Sequence, residues 1–255
     1  MEAFDRLLEI MDRLRSEEGC PWDREQTRET LKSYLIEEAY ELLEALEEDD
    51  PEKIKEEIGD LLFQLVFHAR IGKERGEFDM EDVLENIEAK MIARHPHVFG
   101  DKTVKDAQEV IKRWEELKKK EGKMKESVLE GIPESLPSLL RAHRVQERVA
   151  RVGFDWDDTE PVVEKLEEEF SEFKEALYKK DMVEIENELG DILFSLVNLS
   201  RFVGVNPEEA LRKTVTKFIG RFRYIERKAR EAGRNLEEMS LEEMEALWQE
   251  SKERE

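Results

Sequence analysis

Residues 35–70, LIEEAYELLEALEEDDPEKIKEEIGDLLFQLVFHAR, align without a gap to residues 166–201, LEEEFSEFKEALYKKDMVEIENELGDILFSLVNLSR, at an offset of 131, with 17 of 36 positions identical. A chain that repeats itself at this length is built from two copies of one unit, so any candidate architecture must be constructible twice. The match extends beyond the gapless core. Trp22-Asp23 pairs with Phe154-Asp155 after a one-residue shift, Lys90-x-x-x-Arg94 with Lys217-x-x-x-Arg221, and Trp114-x-x-x-Lys118 with Trp248-x-x-x-Lys252. Between the copies runs KKKEGKMKESVLEGIPESLPS, whose lysines, glycines and prolines mark a boundary. The expected organisation is a first unit at 1–121, a linker at 122–134 and a second unit at 135–255.

Each copy reads as helix. DRLLEIMDRL, LKSYLIEEAYELLEAL, IKEEIGDLLFQLVFHARIG and DVLENIEAKMIA all place apolar residues three and four apart. Asp50 before Pro51 and Asp79 before the Val83-Leu84 pair are helix-start signals. No alternating run rich in Val, Ile or Thr is long enough for a convincing strand, so the expected class is all-α. Two-helix hairpins bury little area alone, which predicts a homodimer; pairing of the two copies within one chain and pairing across chains are both open at this point.

Composition narrows the partners. Charged residues make up 42% and hydrophobic ones 39%, a balance that permits disorder, but the helical grouping of the apolar residues supplies a core. A formal charge of −23 argues against direct nucleic-acid binding, since a phosphate backbone selects basic surfaces. No run approaches the roughly 20 apolar residues needed to span a bilayer, and the acid-rich start is unlike a secretory leader. Cys20 is the one cysteine, which removes disulfides and cysteine metal clusters and suits a reducing cytoplasm.

The acids recur in register. They fall as Glu38-x-x-Glu41 and Glu57-x-x-Asp60 in the first copy, and as Glu169-x-x-Glu172 and Glu188-x-x-Asp191 in the second. A spacing of three puts each pair on one helix face. With the turn at Asp49-Asp50 and Pro51 first in the next helix, Glu41 and Glu57 stand at roughly equal heights above it, at about 1.5 Å of rise per residue. Glu41 then faces Glu57, Glu38 faces Asp60, and the four carboxylates are expected to converge. In so acidic a chain a single such quartet is noise, at about one hit per chain of this length. Two quartets inside an aligned apolar frame are not. Asp60 and Asp191 also open the runs LLFQLVF and ILFSLV, where an unneutralised carboxylate is expensive. Four clustered carboxylates hold a proton or bind a cation, and oxygen ligands without Cys or His select Mg²⁺, or Mn²⁺, over Zn²⁺.

Such sites complete their shell with water and substrate phosphates. Lys90/Arg94 and Lys217/Arg221, each spaced by four, can grip phosphates; Trp114 and Trp248 can stack on a nucleobase, with Lys118 and Lys252 one turn away. His68 falls in an apolar helix and reads as core. His95-Pro96-His97 occupies a helix-ending turn and lacks the further ligands a zinc site needs. There is no P-loop, no GxGxxG after a strand and no GxSxG elbow.

CPWDREQT (20–27), EExxE followed by ExxGD in both halves, RHPHVFGD (94–101) and the WxxxK pairs closely resemble the MazG family of tandem-domain nucleoside triphosphate pyrophosphohydrolases. The resemblance covers nearly the whole chain. It implies an all-α dimer of interlocked four-helix units that hydrolyses NTPs to NMP and pyrophosphate with Mg²⁺. The implied metal ligands are Glu38, Glu41, Glu57 and Asp60 in the first copy, and Glu169, Glu172, Glu188 and Asp191 in the second. The implied nucleotide-contacting segment runs from Lys217 to Arg221, with Trp248 near the base. In such proteins the C-terminal copy tends to be the active one, yet both quartets are complete here. The second copy departs from RHPHVF, reading Arg221-Phe-Arg-Tyr-Ile-Glu226, so the substrate contacts of the two sites are unequal. Glu38 and Glu169 are the candidate general bases, and Glu41 and Glu172 complete the candidate catalytic set. Hydrolysis of pyrophosphate itself is an expected side activity. A di-iron bundle needs Glu-x-x-His on two helices, and here the third positions are Glu41, Asp60, Glu172 and Asp191. The alternative outside enzymology is an acidic helical adaptor that holds nucleotide without turnover.

Overall fold

The computed structural model describes residues 2–101, 103–106, 109–110 and 127–254, and every regular element among them is helical. The chain divides into two compact units, Met1–Lys123 and Met124–Glu255. The first contains α1 (Glu2–Leu14), α2 (Pro21–Glu25), α3 (Lys32–Glu48), α4 (Pro51–Glu74) and α5 (Met80–Arg94). The second contains α6 (Ser138–Ala150), α7 (Thr159–Lys179), α8 (Met182–Phe202), α9 (Pro207–Glu231), a 3₁₀ turn (Leu236–Glu238) and α10 (Leu241–Lys252).

The repeated segment is a helical hairpin in both units, α3–α4 and α7–α8, with the paired helices packed on each other. Its turn is the same in both. Asp49 and Lys180, at aligned positions, adopt left-handed backbone with φ of 53° and 57°. The next residue caps the following helix. Asp50 Oδ1 accepts from the Glu52 and Lys53 amides at 3.0 and 3.5 Å, and Asp181 Oδ1 from the Val183 and Glu184 amides at 3.1 and 3.3 Å. Each cap satisfies amides that the first helical turn leaves without partners. Pro51 supplies the first helical residue, where its missing N–H costs nothing.

One further helix lies across each hairpin. In the first unit α1 packs on α4 around Met11, Leu31, Val66, Phe67 and Ile71, with Phe4, Leu7, Leu8, Phe63 and Met80 at the margin. Arg15 at the end of α1 forks onto Glu74 at 2.8 and 2.7 Å and also donates to the Asp23 carbonyl. In the second unit α6 packs on α8, and Gln146 Nε2 donates to the Phe194 carbonyl at 2.8 Å. The aligned arginines act alike: Arg70 reaches Asp12 at 3.0 Å, and Arg201 reaches Asp155 at 2.8 Å. Each ties the second hairpin helix to the segment that precedes the first. Within the expected linker, Val128 and Glu130 are held against α6, where their carbonyls accept from Arg148 Nη1 at 3.2 and 2.6 Å. No helix among the described residues is long and apolar enough to cross a membrane.

The runs LLFQLVF and ILFSLV are only half buried. Val66 and Phe67 are enclosed, whereas Leu65 is 49% exposed and Leu193, Phe194 and Leu196 are each exposed on α8. A single crossing helix covers one stripe of a helix that is apolar on more than one face, and the remaining stripe stays open.

The turn yields a stability test. Asp50→Ala is expected to cost about 1 kcal/mol in urea unfolding through loss of the cap. Lys180→Gly is expected to stabilise by about 0.5–1 kcal/mol, since glycine adopts positive φ without the Cβ penalty. Destabilisation by Lys180→Gly would contradict the left-handed turn.

Candidate active site

The turn brings the acids of adjacent helices to one height. Carboxylate oxygens of Glu38, Glu41 and Glu57 lie within 4.8 Å of one another, and those of Glu169, Glu172 and Glu188 form the same triad in the second unit. In each unit three of the four expected acids share the tightest group. Asp60 and Asp191 are exposed and lie outside the 4.8 Å groups. The buried acid is instead Glu169, 7% exposed. Asp60 and Asp191 sit on the open side of α4 and α8, where water solvates them, and they act on the triads through space.

The triads are electrostatically loaded. Burial, then Asp60 and Glu41, raise the Glu38 carboxyl above its ordinary value, against a hydrogen bond from the Gln64 side chain. Burial, Glu41 and Asp60 raise Glu57, and burial, Glu172, Glu169 and Asp191 raise Glu188. Like charges this close disfavour joint ionisation. A divalent cation removes that penalty, and an all-oxygen donor set without His or Cys fits Mg²⁺ or Mn²⁺.

Two supporting residues are not singled out by motif reading. Gln64, buried on α4, holds Glu38. Lys165, on α7, pairs with Glu169 at 2.9 Å and Glu168 at 3.0 Å, and these carboxylates raise its own pKa. Their aligned counterparts are Ser195 and Tyr34. The signal was the mismatch at these positions inside a matched acidic frame.

Of the other expected site residues, Arg221 and Trp248 meet each other. In the second unit Arg221 Cζ lies 5.4 Å over the Trp248 ring, and Phe218 packs against the same indole at 4.9 Å. Lys217 and Lys252 are exposed on α9 and α10. Among the described residues no ion pair links either lysine to Glu169, Glu172 or Glu188. Lys90 and Arg94 are half-buried on α5, while Trp114 and Lys118 lie outside the described residues. His95 Nδ1 donates to the Met91 carbonyl at 2.7 Å and so caps α5. Burial and Arg28 hold the His68 imidazole below its ordinary pKa. Beside the triads, the aligned Gly59 and Gly190 are bare: a Cβ on either would meet nothing within 4 Å.

Two tandem all-α units, each with one oxygen triad clasped between hairpin helices, define a class of helical proteins built around paired acidic centres. A model of the MazG nucleotide pyrophosphohydrolase domain matches the chain twice, over residues 26–99 and 158–225, and each match encloses one triad. The chain belongs to the MazG nucleotide pyrophosphohydrolase family, a family of hydrolases acting on acid anhydrides. It is 50% identical over 250 residues to the nucleoside triphosphate pyrophosphohydrolase/pyrophosphatase MazG of Thermotoga maritima, covering 98% of this chain and 95% of that protein. It is 45% identical over 263 residues to the nucleoside triphosphate pyrophosphohydrolase of Escherichia coli, covering 100% and 99%. The uncharacterized protein YabN of Bacillus subtilis is 46% identical over 257 residues, 99% of this chain and 52% of that protein.

The raised carboxyls set the pH dependence. A folded-state pKa above the unfolded one means that the folded state binds the proton more tightly. The associated stability is therefore full below the usual 4.5 and is lost as pH rises through the raised value. Glu57→Gln and Glu188→Gln, each without divalent cations, are expected to raise the melting temperature near pH 7.5. That gain should vanish as the pH falls below 4.5. Destabilisation by both at pH 7.5 would show that the triads are not under charge repulsion.

Proposed function

We propose that this chain hydrolyses nucleoside triphosphates and deoxynucleoside triphosphates at the α–β phosphoanhydride, releasing NMP and pyrophosphate, with Mg²⁺ as cofactor and Mn²⁺ able to replace it. The observation that carries the reading is the oxygen triad repeated in both family-matched segments. The names of the Thermotoga maritima and Escherichia coli relatives support the substrate class, and the former's second name, pyrophosphatase, supports a secondary activity on inorganic pyrophosphate.

In this reading Glu38, Glu41, Glu57 and Asp60, and likewise Glu169, Glu172, Glu188 and Asp191, would hold the cation. Bound Mg²⁺ would supply charge neutralisation for the triphosphate and a lowered pKa for a coordinated water. The attacking oxygen bonds to the α-phosphorus as the bridge to the β-phosphorus breaks, and pyrophosphate leaves. Glu38 or Glu169 would accept the proton that the water releases. Lys217 and Arg221, with Lys90 and Arg94 in the first unit, hold phosphates. Trp248 and Trp114 stack on the base, with Lys252 and Lys118 beside them. Base stacking on Trp248 would require Arg221, which lies over its ring, to swing toward the phosphates. The charge of −23 favours free nucleotides reached through cations over nucleic acid, and the lone Cys20 favours the cytoplasm.

We further propose a homodimer. Ile36, Leu43, Ile58 and Leu65 are exposed on the first hairpin and Leu189, Leu193 and Leu196 on the second, and exposed apolar side chains of this density on a hairpin suit an association face. Sedimentation velocity is expected to give twice the chain mass, and a monomer would overturn this point.

Incubation with ATP and Mg²⁺, with products resolved by anion exchange, is expected to yield AMP and pyrophosphate, abolished by EDTA. ADP and phosphate would overturn the α–β assignment. Glu41→Gln combined with Glu172→Gln is expected to lower kcat/KM by more than about 100-fold, because ligand losses exceed the 10–100-fold of supporting contacts. Intact turnover would remove the triads from the mechanism.

A further inference from the structure

We propose that the two centres load unequally: Lys165 furnishes the second triad with an internal counter-cation, so that a divalent cation binds there more weakly than at the first. The inference rests on reading both triads as divalent-cation sites.

The hairpins share their register and most of their acids, and the triads share one spacing, so the frame does not separate the sites. Their surroundings do. Lys165 lies one helical turn before Glu169, and its Nζ stands 2.9 Å from a Glu169 oxygen and 3.0 Å from Glu168. The Glu169 side chain is 9% exposed, so the ammonium engages the most enclosed ligand of the triad. At the aligned position the first unit has Tyr34, an uncharged ring set edge-on against Trp22 at 5.9 Å. There Glu38 is supported by the neutral amide of Gln64, and Ser195 occupies that place in the second unit. The two lysines nearest Glu57 in sequence are engaged elsewhere: Lys55 is ion-paired with Glu52, and Lys53 is ion-paired with Glu48 and acts on Glu57 only through space. Among the described residues no ammonium or guanidinium pairs with Glu38, Glu41 or Glu57.

A cation entering the first triad meets bare carboxylates whose repulsion it relieves. One entering the second must take Glu169 from Lys165, or bind beside a second positive charge. Losing one charge-assisted hydrogen bond corresponds to a preference of about tenfold for the first site. The first centre therefore fills at lower free cation.

The test is calorimetric titration of the full chain with Mn²⁺ in the absence of nucleotide. Glu169→Gln/Glu172→Gln isolates the first site and Glu38→Gln/Glu41→Gln isolates the second, with circular dichroism to check folding. The first is expected to bind about tenfold more tightly. Adding Lys165→Met, or Lys165→Gln should the first misfold, to the isolated second site should close the gap. Lys165→Arg should keep it, and Tyr34→Lys should weaken the isolated first site. Equal affinities, or no change on neutralising Lys165, would overturn the inference and leave the site reading standing. Absence of Mn²⁺ binding in every protein, wild type included, would overturn both.

Discussion

The register of one tight turn governs the chemistry of both halves. A left-handed residue followed by a capping aspartate reverses the chain within two residues, at Asp49-Asp50 and again at Lys180-Asp181. Once the turn is set, helical rise fixes which residues of the two helices stand opposite. A one-residue slip would rotate the following helix by about 100° and carry Glu57 or Glu188 off the shared face. The pattern of identity across the repeat follows this logic. The capping aspartate is kept in both copies, while the left-handed residue before it differs, because the geometry needs a cap acceptor more than any particular side chain at positive φ.

Placing carboxylates within 4.8 Å of each other works against the fold at neutral pH, and the surrounding contacts show where the opposing stabilisation comes from. Hairpin helices are clasped from outside by a crossing helix and by arginines distant from the triad: Arg15 and Arg70 in the first unit, Arg201 in the second. These pairs are partly buried and hydrogen-bonded, so they stabilise more than exposed ion pairs do. The unit is thus held together at one end of the hairpin while charge accumulates nearer the turn. Separation of the two functions lets the acidic end remain open and hydrated.

Much of this was legible from the residues. Apolar periodicity and scarce Gly and Pro give an all-helical chain; the self-alignment gives the hairpin twice; Asp50 and Pro51 give the turn. The triads follow from spacing and register. The fourth acid of each quartet stands outside the tightest group but still acts on it through space, Asp60 on Glu38 and Glu57 and Asp191 on Glu188. Periodicity also shows that a face is apolar, not that another element is available to lie on it, and LLFQLVF is accordingly only half covered. The mismatch at Lys165 is a weak signal for a different reason. A lysine one turn from a glutamate is commonplace in a chain with 42 basic and 65 acidic residues, and only burial of Glu169 separates this pair from surface charge.

The aligned glycines extend the reasoning outward. A glycine inside a helix costs about 1 kcal/mol relative to alanine, and this chain accepts the cost at the same place in both copies. Within each unit nothing approaches Gly59 or Gly190 closely enough for a methyl group to collide, so packing inside the unit does not require them. Two partners already proposed would approach that open backbone from outside: substrate phosphates drawn to the cation and a second copy of the hairpin drawn to the open apolar stripe. Both need the backbone of α4 and α8 to be accessible beside the acids. Unpartnered leucines, bare backbone and charge repulsion then have one explanation: each hairpin is an unfinished site whose stability and chemistry are completed by what binds to it.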